Sequence, residues 1–148
     1  MPGGLSTIGD YAFDQTGLTS ISIPNNVVDV GDHAFSDSDI IYANIGSNVT
    51  DIKPGTFQYC YDLTSITIGN SVSSIGQYAF VSCEKLSSIT IPSNVISIGY
   101  RAFVGCSALS NVTMNGKTTS YVSLMDHAYW ELKPGCKISC TNGEIVVP

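Results

Sequence analysis

An Ala-Phe dipeptide, once Thr-Phe, returns along this chain at near-constant intervals. It stands at Ala12-Phe13, Ala34-Phe35, Thr56-Phe57, Ala79-Phe80 and Ala102-Phe103. Successive phenylalanines are 22, 22, 23 and 23 residues apart. Five or six residues after each comes an aliphatic side chain, at Leu18, Ile40, Leu63, Leu86 and Leu109. Two more apolar residues follow it three and five positions on, for example Ile66 and Ile68 after Leu63, or Ile89 and Ile91 after Leu86. Four repeats then carry Val27, Val49, Val72 and Val95, each followed by Val30, Ile52, Ile75 or Ile98. Gly9, Gly31, Gly76 and Gly99 close most of these runs.

A period of this length with an L-x-x-L-x-L core is the pattern of a leucine-rich solenoid. One coil cannot bury its apolar face alone, but stacked coils bury a continuous core in which like residues ladder on like. The expected fold is mainly β: a leucine-rich-repeat β-solenoid of five coils of 22–23 residues over 1–114, with a C-terminal cap over 115–148. Each coil is expected to hold one short strand, with the phenylalanine ladder on the opposite side. No stretch sustains a 3.6-residue period, so that opposite side should be turns or extended pieces rather than long helices. In the cap, Asn142-Gly143 between two alternating stretches predicts a β-hairpin. A short helix is expected around Tyr121 to Leu132.

The units IGDYAFDQTGLTSISIPNNV and IGQYAFVSCEKLSSITIPSNV resemble the BspA-like, or Treponema-pallidum-type, leucine-rich repeats over about residues 5–114. The tail is similar to the segment that follows such repeats in bacterial surface proteins, through Met125 to Trp130 and then Gly135-Cys136-Lys137-Ile138-Ser139-Cys140-Thr141-Asn142-Gly143. The resemblance implies an extracellular or surface-exposed binding and adhesion module without catalysis. It does not imply a ligand.

Six basic against twelve acidic side chains leave a net charge of −6, which lacks the basic footprint of a nucleic-acid or anionic-membrane binder. No apolar run approaches the roughly 20 residues of a membrane-spanning helix. The opening MPGGLSTIGDYAF has neither the basic nor the apolar region of a signal peptide. The chain therefore reads either as an excised fragment or as a protein that acts without standard secretion. It begins in the tail of a repeat, so Leu5, Ile8 and Phe13 form a candidate assembly face. That face fits a trimmed solenoid, or one that self-associates or docks on a larger particle such as a virion or a cell-surface array.

Candidate chemistry is sparse. Cys60, Cys83 and Cys106 occupy one position in successive repeats, where Thr16 and Ser38 stand earlier; they read as a ladder of buried thiols. His33 replaces a turn tyrosine, and His127 falls in the cap. Asp14, Asp32, Asp37 and Asp39 read as a solvated acidic face, with spacing unlike an EF-hand loop. No catalytic constellation, cofactor motif or metal site is expected. The better candidate is the concave strand face, where residues between core positions form two polar ladders. One runs Ser20, Tyr42, Ser65, Ser88, Asn111; the other runs Ser22, Asn44, Thr67, Thr90, Thr113. Tyr42 is the most anchor-like member, because aromatic residues dominate interface energetics. The expected partner is a protein or a glycan.

Overall fold

A computed structural model describes residues 4–124 and 130–148. It forms a β-solenoid of about five turns. Each coil contains two short strands, one more than the repeat pattern suggests. The first row consists of β1 (Thr7–Ile8), β3 (Asp29–Val30), β5 (Asp51–Ile52), β7 (Ser74–Ile75) and β9 (Ser97–Ile98). The second consists of β2 (Ser20–Ser22), β4 (Tyr42–Asn44), β6 (Ser65–Thr67), β8 (Ser88–Ile91) and β10 (Asn111–Met114). The first row was hidden because two-residue strands show no alternation; their inward residues are the Ile or Val after each repeat valine. Pairing within both rows is parallel and steps one repeat per rung, as in Ser20↔Tyr42↔Ser65. Alternation then sends Ile66 and Ile89 into the core and their neighbours outward.

The turn side is a continuous spine. Five phenylalanine rings stack with centroids 5.4, 5.5, 5.7 and 5.6 Å apart and planes within 11° of parallel. Phe35, Phe57, Phe80 and Phe103 are fully buried. Each of the first four phenylalanine N–H groups donates to the carbonyl just before the next ring, as Phe35 to Thr56 at 3.0 Å and Phe57 to Ala79 at 2.9 Å. Tight reversal of the backbone places the residues two before and two after each ring in the left-handed region. Tyr11, His33, Tyr78 and Arg101 share the first position with Gly55, and Gln15, Asp37, Tyr59 and Ser82 share the second with Gly105. Such a conformation costs a non-glycine residue about 1–2 kcal/mol. The N–H groups so aimed bond the next coil, as Tyr59 to Val81 at 2.8 Å.

The two strand rows are each broken once. A Cβ on Gly31, Gly76 or Gly99 would lie 2.4–2.6 Å from backbone atoms of the coil before it, so these coils approach only because glycine stands there. Lys53 occupies that position in the third coil, and the first row divides there into β1–β3 and β5–β7–β9. The Lys53 ammonium instead reaches back to Asp29 at 2.7 Å. In the second row, Gly46 and Gly69 sit against carbonyls of the preceding coil, at 2.6 and 2.3 Å from a notional Cβ. Pro92 takes that place in the fourth coil, and the row divides into β2–β4–β6 and β8–β10–β11–β12.

The last two strands of that sheet belong to the C-terminal segment. β11 (Lys137–Cys140) pairs in parallel with β10, and β12 (Gly143–Val146) returns antiparallel to it. The hairpin is therefore present, but Cys140 pairs with Gly143, so its loop is Thr141-Asn142 rather than Asn142-Gly143. The Asn142 side chain accepts from the Thr119 N–H at 2.9 Å, at the start of α1 (Thr119–Leu124). The helix thus begins two residues before its expected start, and residues 125–129, His127 among them, lie outside the described set. Trp130 is buried, and its carbonyl accepts from Phe103 N–H at 3.1 Å, as the residue before each phenylalanine does in the coils below.

Candidate interaction face

The second strand row projects two polar ladders. The register sets Ser20, Tyr42 and Ser65 side by side, and likewise Ser22, Asn44 and Thr67. Beyond the break, Ser88 aligns with Asn111, and Thr90 with Thr113. The eight members from Ser20 to Thr90 are exposed, whereas Asn111 and Thr113 are half-buried. Tyr42 is 60% exposed between two serines, which leaves its ring free on both sides. Both ladders run one rung further than the repeats predict, because Lys137 aligns with Asn111 and Ser139 with Thr113. The signal was weakened by the longer interval between β10 and β11, 26 residues instead of 22–23.

The ladders are not equally available. Asn44 Nδ2 donates to Ser22 Oγ at 3.3 Å. Asn111 donates to Thr113 at 3.3 Å and accepts from Ser139 at 2.9 Å. The Thr67 and Thr90 hydroxyls, on either side of the break, have no side-chain partner among the described residues.

At the other end of the solenoid, the proposed assembly face is only partly presented. Leu5 and Phe13, like Leu18 and Ile21, are half-buried and packed against the core, but Ile8 is 4% exposed and belongs to the core itself.

The cysteine ladder is structural. Cys60, Cys83 and Cys106 are buried free thiols that donate to the Phe35, Phe57 and Phe80 carbonyls at 3.1, 3.2 and 3.0 Å. Ser38 makes the equivalent bond to Phe13 at 2.7 Å, so this position requires a small donor, not sulfur chemistry. Burial pushes the Cys60 thiol up to about 12 and Cys83 well above its ordinary value, which suppresses the reactive thiolate. Cys136 and Cys140 are raised too, again through burial. His33 stacks on Tyr11 at 5.0 Å, a packing role between coils. Among the described residues, no group of three or more His, Cys, Asp or Glu is placed to hold a metal ion. None of their helices is long and apolar enough to cross a membrane.

Known proteins place this architecture. The sequence profile of the BspA type leucine rich repeat region matches residues 1–110 in six copies. A leucine rich cell surface protein from Faecalibacterium prausnitzii superposes with a TM-score of 0.78 and 33% identity, over 83% of this chain and 33% of its own. The T. pallidum leucine rich repeat protein gives 0.69 and 29%, over 73% and 51%. A leucine-rich repeat protein from Bacteroides ovatus gives 0.63 and 32%, over 73% and 34%. The chain therefore spans a third to a half of the length of these structures. No curated protein matches it.

Proposed function

The chain belongs to the BspA-type leucine-rich repeat family, and on that premise we propose that it is a non-catalytic, surface-exposed adhesion module whose second strand row binds a protein or glycan partner. Protein interaction at a surface is the general role of such repeats. What carries the strand-face reading is Tyr42, a large exposed ring at the middle of a flat row of small hydroxyl side chains. An aromatic anchor ringed by small polar groups is the composition of an interface hot spot. The strands lie about 4.8 Å apart, so the face is narrow and binding strength would come from several copies acting together.

The test is retention of beads carrying many copies of the chain on a layer of target cells. Tyr42→Ala with Asn44→Ala should cut retention severalfold while the melting curve stays unchanged. Equal retention would remove the strand face from the reading.

A second reading, in which the molecule assembles into a larger particle or array, draws on the half-buried Leu5, Phe13, Leu18 and Ile21 at the first coil. It expects a Phe13→Asp variant to shift a concentration-dependent mass measured by light scattering to the monomer. A wild-type monomer at every concentration that also fails to bind its native particle would sink it.

A further inference from the structure

We infer that the break between β6 and β8 is a binding site for one neutral sugar ring. This goes beyond the strand-face reading, since the site can bind a sugar whatever Tyr42 contacts.

The break is built, not incidental. Elsewhere along this row, backbone bonds flank the strands at each junction. Ile45 N–H reaches Thr67 O at 2.9 Å, Thr64 N–H reaches Ile41 O at 2.9 Å, and Ser110 N–H reaches Ser87 O at 2.9 Å. Among the described residues, neither Ile68 N–H to Thr90 O nor Ser87 N–H to Thr64 O is formed. The coils remain clasped on the other sides. Phe57 and Tyr59 bond the next coil at 2.9 and 2.8 Å, β5 pairs with β7, and Asp51 accepts from Ser74 at 2.5 Å. Pro92 stands where the second and third coils carry glycine and the last coil carries Asn115, whose N–H donates to the Ile91 carbonyl at 3.0 Å; proline has no N–H to give, and its ring props the strand side open.

An opening of about 250 Å³ results. Thr67, Asn70, Thr90 and Asn115 line it with hydroxyl and amide groups, and Ile68 and Pro92 give it an apolar wall. Hydroxyls and amides both donate and accept, which is what the hydroxyls of a sugar require. No ionisable side chain lines the site, so no charged group there favours an anion or a cation over a neutral ligand. The apolar wall suits the C–H face of a pyranose. Drug-sized ligands occupy roughly 300–1,000 Å³; this smaller site takes a single residue, such as the end of a glycan chain.

The isotope-labelled full chain would be titrated with methyl glycosides of neutral hexoses and N-acetylhexosamines, and with glucuronate as the charged control. At least one neutral glycoside should produce saturable shifts at the amides of Ile68, Asn70 and Thr90. Glucuronate should produce none. Thr67→Val with Thr90→Val should weaken binding about tenfold, the worth of one to two hydrogen bonds. Pro92→Gly, which lets the coils close, should abolish it, while Tyr42→Ala leaves it intact. If the valine pair loses spectral dispersion, Pro92→Gly and Asn70→Ala decide. Absence of shifts with every neutral glycoside, equal shifts with glucuronate, or undiminished binding in the folded variants would overturn the assignment.

Discussion

The turn side and the strand side of this solenoid are built from the same repeats, yet only one is continuous. Backbone bonds on the turn side link every coil to the next, from Phe13 to the Trp130 carbonyl. Each strand row breaks once, at a different junction: the first row between the second and third coils, the second row between the third and fourth. At neither junction do both rows open. The difference lies in how much room each position allows. The turn side needs left-handed backbone, which tyrosine, histidine, aspartate and arginine all adopt here at a modest cost. On the strand rows Gly31, Gly46, Gly69, Gly76 and Gly99 leave no room for a Cβ, and the rows divide where Lys53 and Pro92 stand instead, although Asn115 is accommodated at the last junction of the second row. Tolerance on one side and intolerance on the other let the sequence place openings without dividing the core.

The largest expected effect tests the spine. Phe57→Ala, at the middle of the stack, should destabilise the chain by about 3–5 kcal/mol in urea unfolding. Phe13→Ala, half-buried at the end, should cost roughly 1–2 kcal/mol. Equal costs would show that the rings contribute individually rather than through the depth of the stack. Next comes the donor beneath the spine. Cys83→Ser keeps the bond to the Phe57 carbonyl but buries a more polar group, at about 1 kcal/mol. Cys83→Val removes the donor and should lower stability further; the reverse order would show that volume, not the bond, sets this position.

The strand side gives smaller effects. Pro92→Gly should leave overall stability nearly unchanged, since a restored bond offsets the added chain freedom. Its signature is local: hydrogen exchange at Ile68 should slow about fivefold to tenfold. An unchanged rate would mean that proline is not what holds the coils apart. The smallest effect concerns Asp51, which clasps the same junction from the first row. Its carboxyl is held below the usual aspartate value chiefly by the Ser74 hydroxyl, with Thr50 and Ser73 adding to it. A lowered folded value means the stabilisation is complete above about pH 4 and disappears as pH falls through the folded value. Wild type should therefore exceed Asp51→Asn in melting temperature near neutrality and converge with it in acid. A gap that persists in acid would assign the effect to packing.

The repeat spacing made the solenoid legible because each ladder returns at one interval, and burial follows directly from alternation. The second strand set was not legible: Thr7-Ile8 and its counterparts are too short for a period to emerge. The breaks were visible as substitutions, Lys53 where the other coils carry glycine and Pro92 where the second and third coils do. Their consequence depends on distances between coils that sequence does not carry. The polar ladders face outward as far as Thr90; the half-burial of Asn111 and Thr113 follows from β11 packing alongside them. Ile8 was misplaced because its relation to a missing strand suggested exposure, whereas it packs against Val30 of the next coil in the hydrophobic core.

The three stacked thiols carry a last consequence. Cys60, Cys83 and Cys106 sit at 23-residue intervals, one per coil, and all three are buried, out of a reagent's reach while the coils are closed. A thiol reagent supplied in excess would modify each only during an excursion that exposes it. Their separate labelling rates amount to three clocks fixed along one axis. Read by mass after digestion, they would give the order in which the coils come apart.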